Sequence, residues 1–406
     1  MSDADGHPSY RRVFAVGEFR ALFTAQVVSV LGNVIAQVAL AVLVYDRTGS
    51  ALLSALTFTL GFVPFLIGGT VLAGVVDRLP PRRTLVSCDL VSAVVVGLMV
   101  LPVPVPVLLV LIFVAGLVDP VFAGVRAAIL PEVLGTGPEF VLGRALFGMV
   151  WQGAQVMGYA AGGLLLAAVG ARGALALDAV SFLGSAILVR LGTRRRDAAA
   201  PSNEGLMRDS LRSVGEILRI PRLRQLMLLH WLVPTCALAP EALIAPYVHL
   251  LHRPTSDVGV LLCAVAAGML LSNLVIGRAL TVRRQRRLMA PVALLTVVPL
   301  IAFAAPLGVA LSIVALATSG LGTCFNLGRD AAFIAAIPEP LRGRALAVDG
   351  SGLMAVQGIG FAFWGALAEF VPLRSTIAIA GVAGVIVIVV LTWPTGPRRS
   401  YRGKNI

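Results

Sequence analysis

The run Leu288–Leu327, LMAPVALLTVVPLIAFAAPLGVALSIVALATSGLGTCFNL, contains no Asp, Glu, Lys or Arg in forty residues. A helix that crosses a bilayer needs roughly 20 consecutive apolar residues. This run is therefore long enough for two crossings joined by a tight turn at Pro306. Leu90–Val118 is likewise uncharged and is divided by Pro102-Val103-Pro104-Val105-Pro106. Working outward, low-charge stretches recur at 21–45, 51–76, 84–101, 105–130, 141–169, 173–191, 225–250, 258–280, 288–305, 307–336, 345–370 and 375–393, twelve in all.

The composition agrees with that reading. Of the 406 residues 58% are hydrophobic and 13% charged, and the mean hydropathy is +0.92. Soluble domains carry about 25% charged residues, so a water-soluble protein is excluded and an all-α membrane protein of twelve transmembrane helices is expected. Cys88, Cys236, Cys263 and Cys324 are widely separated in apolar stretches, without the spacing of a disulfide framework or a metal site. No metal and no other cofactor is expected. The first apolar run exceeds the core of a signal peptide and is expected to stay as an anchor.

The formal net charge is +13. With the N-terminus placed inside, 29 of the 33 basic residues fall on the inner side, and Arg47, Arg172, Arg253 and Arg374 remain outside. Basic residues resist translocation. The split predicts a multi-pass protein of the cell membrane with both termini in the cytoplasm. It makes the arginines topology signals, not nucleic-acid ligands. The longest polar insertion, 192–221, contains Arg194-Arg195-Arg196 and reads as a central cytoplasmic linker between bundles at 1–191 and 222–406. Within it, Met207–Leu218 mixes charged and apolar residues near helical spacing and is read as a surface helix.

The halves repeat. Pro131-Glu132 recurs as Pro338-Glu339 at +207, and Gly143-Arg144-Ala145-Leu146 as Gly343-Arg344-Ala345-Leu346 at +200. Phe19-Arg20 corresponds to Leu223-Arg224 and Arg82-Arg83 to Arg286-Arg287, both at +204. Duplication of a six-helix unit explains the constant order, and repeats of this kind enclose a site at their interface.

The turn between the second and third spans, Gly74-Val75-Val76-Asp77-Arg78-Leu79-Pro80-Pro81-Arg82-Arg83, resembles the conserved cytoplasmic turn of the major facilitator superfamily. It differs in placing Gly74 one residue closer to the acid and prolines at the turn glycine and first basic position. With the spans, linker and repeat, the resemblance covers nearly the whole chain and implies two pseudo-symmetric six-helix bundles. It also implies that Asp77, Arg78, Arg82 and Arg83 bond across half-bundles in only one of two rocking states; the alternative is a plain topogenic turn. Gly158-Tyr159-Ala160-Ala161-Gly162-Gly163 in the fifth span resembles the family's antiporter signature, with Tyr159 in place of its proline. Ala154, Gly158 and Gly162 share one face, which suits close helix packing whether or not export is involved.

Phe19–Phe23 leading into Asn33, Asp46–Ala51, Leu130-Pro131-Glu132 and Leu177–Phe182 resemble the drug:proton antiporter branch that includes macrolide-efflux and enterobactin-type siderophore exporters. The resemblance implies a secondary exporter of amphipathic small molecules, driven by proton antiport with alternating access and functional as a monomer. The alternatives are a nutrient importer or facilitator of the same fold and, more remotely, a membrane-embedded enzyme. The latter would need a cluster of His, Cys or acids near one face, which the sequence lacks. No Gly-x-x-x-x-Gly-Lys loop is present, so ATP is not expected to drive the process directly.

An ionised side chain at mid-bilayer costs ~2.5–3.5 kcal/mol on insertion scales, so acids within spans should face a cavity or a partner. Asp119 lies about 21 Å along the fourth span at 1.5 Å per residue. It is the first candidate for proton binding, with a pair to Arg126 as the alternative. Glu241, Asp178 and Asp330 follow, and Arg329-Asp330 reads as an internal pair on the cavity wall. Asp89 and Asp349 are expected to pair with Arg83 and Arg344. The substrate surface is expected from Asn33 and Gln37 at i,i+4, Gln152 and Gln155 at i,i+3, and Asn273 and Gln357. Trp151, Tyr159, Phe325, Phe361 and Trp364 are available for stacking on a bulky ligand.

Overall fold

The computed structural model describes residues 9–67, 80–196, 215, 217–279 and 281–392. Gly74, Asp77 and Arg78 of the turn motif lie outside the described residues, as do 197–214 and 216 of the expected linker, with most of its surface helix. Among the described residues all regular structure is helical. The first half contains α1 (Tyr10–Ala15), α2 (Gly17–Thr48), α3 (Ala51–Ile67), α4 (Pro81–Val100), α5 (Val105–Leu134) and α6 (Pro138–Gly192). The second contains α7 (Pro221–Ala237), α8 (Ala239–Ala242), α9 (Ile244–Leu250), α10 (Ser256–Ala279), α11 (Val282–Ile301), α12 (Val309–Gly322), α13 (Phe325–Ala336), α14 (Arg342–Phe370) and α15 (Leu373–Thr392).

Turn chemistry sets most boundaries. Gly49 adopts φ 65° and donates its N–H to the Tyr45 carbonyl at 2.8 Å, closing α2 with the left-handed residue that glycine accepts without strain. Prolines at the first helical positions start α4, α5, α6 and α7. Helix α6 has 55 residues, about 80 Å at 1.5 Å per residue and far beyond one crossing. Gly170, at φ 70° and ψ 175°, breaks it with a kink between the two stretches the sequence had separated there.

Among the described residues nine helical segments are long and apolar enough to cross a membrane, and α7 through α9, bent by 42°, make ten if counted as one span. Dividing α6 at Gly170 and adding the apolar α3 accords with the twelve low-charge stretches. Two spans depart from a straight rod. Pro240 and Pro246 accompany the break of the seventh into α7, α8 and α9, because proline removes a backbone donor and crowds the preceding turn. The tenth breaks at Thr323-Cys324 into α12 and α13.

The packing repeats in the two halves. Helix α4 packs on α5 and α6, and its counterpart α11 packs on α12 and α15. The halves meet along two seams, α3 against α14 and α6 against α10. At the first, Phe361 stacks on Phe58 at 4.9 Å and on Phe62 at 5.5 Å. Further along, the Glu369 carboxylate accepts the Ser50 hydroxyl at 2.6 Å and the Leu52 N–H at 2.9 Å, capping the start of α3 from the other half. At the second, a Cβ on Gly163 would lie 2.6 Å from the Ser256 carbonyl and 2.9 Å from Gly259 Cα, so the two backbones touch. Gly158 and Gly162 of the same motif face Val34 and Ile35 of α2.

The glycine seam yields a test. Overpacking a tight contact costs about 1–3 kcal/mol. Gly259→Ala, which sets a methyl against the Gly163 backbone, is expected to lower the melting temperature of the detergent-solubilised protein. Gly153→Ala, where a Cβ meets nothing within 4 Å, should leave it unchanged or raise it.

Candidate functional site

A cavity of about 360 Å3 opens among α2, α4, α5 and α6, with Glu241 of α8 and Met354 of α14 completing its wall. Its residues follow from helix periodicity. On α2, Gln26, Ser29, Val30, Asn33 and Gln37 share one face through steps of three and four. Asp119, Phe122, Ala123 and Arg126 do the same on α5, and Trp151, Gln155 and Tyr159 on α6. Asp89 and Cys88 enter from α4, and Phe62 and Phe182 add aromatic surface.

The acids are each met by a donor. Asn33 Nδ2 lies 3.5 Å from Asp119 Oδ2. The Ser185 hydroxyl donates to Asp89 at 2.7 Å, and the Tyr159 hydroxyl donates to Glu241 at 2.6 Å. Asp178, buried and not part of this wall, accepts from Ser181 at 3.1 Å. It lines a second space of about 70 Å3 that also contacts Asn33, Gln37 and Asp119, so the smaller space adjoins the larger through shared residues. Arg126 is the basic group of the main cavity. It donates to Gln26 Oε1, and its guanidinium lies 4.7 Å from the Phe147 ring centroid. Three carboxylates therefore share this wall with one guanidinium.

The structure gathers Asp119, Glu241, Asn33, Gln37, Gln155 and Trp151 in one place. It separates the others. Arg329 is 1% exposed and forms ion pairs with Asp330 at 2.8 Å and with Asp349, away from the cavity. Asp349 also meets His230 Nδ1 at 3.1 Å and accepts the Trp231 indole N–H at its carbonyl, 2.9 Å away. The expected Asp349–Arg344 pairing thus gives way to Arg329 and His230, because residues five apart on a helix point about 140° apart. Asp89 turns to Ser185 and not to Arg83 for the same reason, a six-residue separation. Asn273 on α10 and Gln357 on α14 do not line the cavity, and the side chain of Gln152 lies outside the described residues. Of the aromatic candidates, Trp151 and Tyr159 line it. Phe361 and Phe325 are buried in packing, and the Trp364 indole donates to the Thr235 carbonyl at 2.8 Å.

Sequence reasoning missed Gln26, Ser29, Ser92 and Cys88. The first two were legible: they sit seven and four residues before Asn33 on the same stripe. Among the described residues no group of three or more His, Cys, Asp or Glu side chains is placed to hold a metal ion.

The family profile described as Major Facilitator Superfamily matches residues 22–325 and 242–405. Multidrug efflux pump Tap of Mycolicibacterium fortuitum is 28% identical over 364 residues, covering 85% of this chain and 88% of that protein. Macrolide efflux protein A of Streptococcus pyogenes is 29% identical over 76 residues, 19% of each chain. The fold is similar to that of the nucleoside transporter NupG, with TM-score 0.71 and 11% identity over 91% of this chain and 98% of that one. It is also similar to a bacterial homologue of the human lysosomal transporter Spinster in an inward-facing conformation, with TM-score 0.68 and 14% identity over 94% and 95% of the chains.

The bond between Tyr159 and Glu241 joins the halves across the cavity. Leaving a buried donor without an acceptor costs about 1–3 kcal/mol. Glu241→Leu is expected to melt lower in detergent than Glu241→Gln, which keeps an acceptor. Adding Tyr159→Phe to Glu241→Leu should recover part of the loss. Equal melting of the two Glu241 variants would show that the bond contributes nothing.

Proposed function

The chain belongs to the major facilitator superfamily, and from that membership we propose that it is a secondary efflux transporter exchanging amphipathic small molecules for protons. It is a multi-pass membrane transporter and not an enzyme. The observation that carries the proposal is the cavity itself. Asp89, Asp119 and Glu241 face Arg126 across a space walled by Phe62, Phe122, Trp151, Tyr159 and Phe182. Aromatic and apolar walls with a few convergent polar groups suit an amphipathic ligand. An excess of carboxylates suits a proton or a cationic substituent. The outward direction draws on the efflux proteins that the chain resembles.

In this reading bundles 1–191 and 222–406 rock about the cavity, joined by the cytoplasmic linker 192–221, and the molecule works as a monomer. Both termini lie in the cytoplasm of the cell, on the side richer in arginine. The Glu369 cap and the Gly163–Gly259 contact support a state closed at the outer end. Arg82 and Arg83, with Asp77 and Arg78, belong to a switch at the opposite end. A driving ion acts only through different affinity for the two states. Asp119 serves as the principal proton site, Glu241 as a second that is bonded to the opposite half, and Asp178 as an acid behind the cavity. Asp330 pairs with Arg329, and both are assigned to holding the second half together. Asn33, Gln37 and Gln155 contact the ligand.

A deletion strain should become more susceptible to the substrate, macrolides being the first class to screen, and should accumulate it. In vesicles with an imposed pH gradient, Asp119→Asn is expected to reduce pH-driven transport of that compound by more than about tenfold, one pKa unit of coupling being worth 1.36 kcal/mol, while the protein still inserts. Unchanged pH-driven transport would remove Asp119 from the mechanism.

A further inference from the structure

A separate cavity of about 490 Å3 lies where the start of α4 meets the end of α6, and none of the acids described above lines it. Arg82, Arg83, Arg190, Arg195 and Arg196 line it together with the Ser87 hydroxyl. Their charges are only partly answered. Arg196 forms ion pairs with Glu18 and, at 2.7 Å, with Glu132, and Arg82 donates to the Arg190 carbonyl. Among the described residues no carboxylate pairs with Arg83, Arg190 or Arg195. Several guanidiniums around one space repel one another until an anion enters. Their planar forks match phosphate oxygens in pairs.

The helix surfaces leading away from this cavity identify the source of the phosphate. Leu90, Val94 and Leu98 form an exposed apolar stripe on α4, and Val180, Leu183, Ile187 and Leu191 form one on α6. The two helices pack against each other, and on each the stripe continues, in steps of three and four residues, from the end that carries the arginines. A free phosphate would use the arginines alone, whereas a phospholipid would use both features. We infer that this cavity binds the phosphate of an anionic phospholipid whose acyl chains lie along the α4 and α6 stripes. Basic pockets between helix ends at the headgroup level hold anionic lipids in this way.

The full chain, purified in detergent, would be titrated with phosphatidylglycerol and followed by native mass spectrometry. Phosphatidylglycerol should bind about tenfold more tightly than phosphatidylcholine, as expected where several arginines meet an anionic headgroup. The combined Arg83→Gln, Arg190→Gln, Arg195→Gln variant should lose that preference. Arg283→Gln with Arg284→Gln, on another basic segment, should keep it. Millimolar inorganic phosphate should leave the lipid bound. Equal affinity for the two lipids, an unaltered preference in the triple variant, or complete displacement by phosphate would each overturn the assignment. Because the triple variant can fail to fold, the unaltered protein provides a second measurement. A photoactivatable phosphatidylglycerol should label peptides within 80–98 and 180–196, and labelling confined to other segments would refute the site.

Discussion

Hydrocarbon offers a carboxylate neither hydrogen-bond donors nor counter-charge, so each acid carried into a span must be met by the protein or by water that the protein admits. That constraint organises the cavity of this molecule and the acids around it. Asp89 is met by Ser185, Asp178 by Ser181, Asp119 by Asn33 and Glu241 by Tyr159. These four donors come from α2 and α6, and they require those helices to present a polar face inward while their opposite faces remain apolar. A polar chamber inside an oily bundle is the geometric outcome.

In the second half the buried acid Asp349 is met by an arginine and a histidine instead. Arg329, Asp349, His230 and Trp231 close on one another in a compact knot, with Arg329 also bonded to the Leu226 carbonyl at 3.1 Å and lying 4.4 Å from the Phe333 ring centroid. Such a network ties α7, α13 and α14 together. The two halves repeat in helix order and packing but differ chemically: most of the cavity wall comes from the first half, and the buried ion-pair network from the second. Removing one member of the knot would leave a buried charge unpaired, which is strongly destabilising. Loss of function after such a change would therefore speak first of folding.

Fold class, the break at Gly170 and the turn between α4 and α5 at Pro102–Pro104 were legible because hydropathy and turn residues act locally. Asn33, Gln37 and Asp119 were legible because a polar group in an apolar helix needs a reason to be there. Asn273 and Gln357 were expected on the substrate surface as polar residues in apolar spans, and neither lines the cavity. A repeat conserves backbone packing more strictly than it conserves which face carries polar groups. The partners of Asp89 and Asp349 were misassigned from nearness in sequence, whereas the helix angle sends them to other helices. Glu369 carried no signal at all, since its role depends on the start of α3 lying beside it, more than three hundred residues away in the chain.

Tyr159 stands where the resembling antiporter signature carries proline, and that exchange has a mechanical sequel. With its amide hydrogen intact, α6 continues through this position as regular helix, and the phenol becomes a rung between two bodies that would have to separate in the proposed rocking cycle. Parting them strands the carboxylate of Glu241. Whatever occupies that vacancy, whether a hydrogen ion, a water chain or an ammonium group on a guest, underwrites the separation, and thermodynamic linkage makes the favour mutual. A single aromatic hydroxyl would thereby act as a placeholder that the cargo or its counter-ion has to evict.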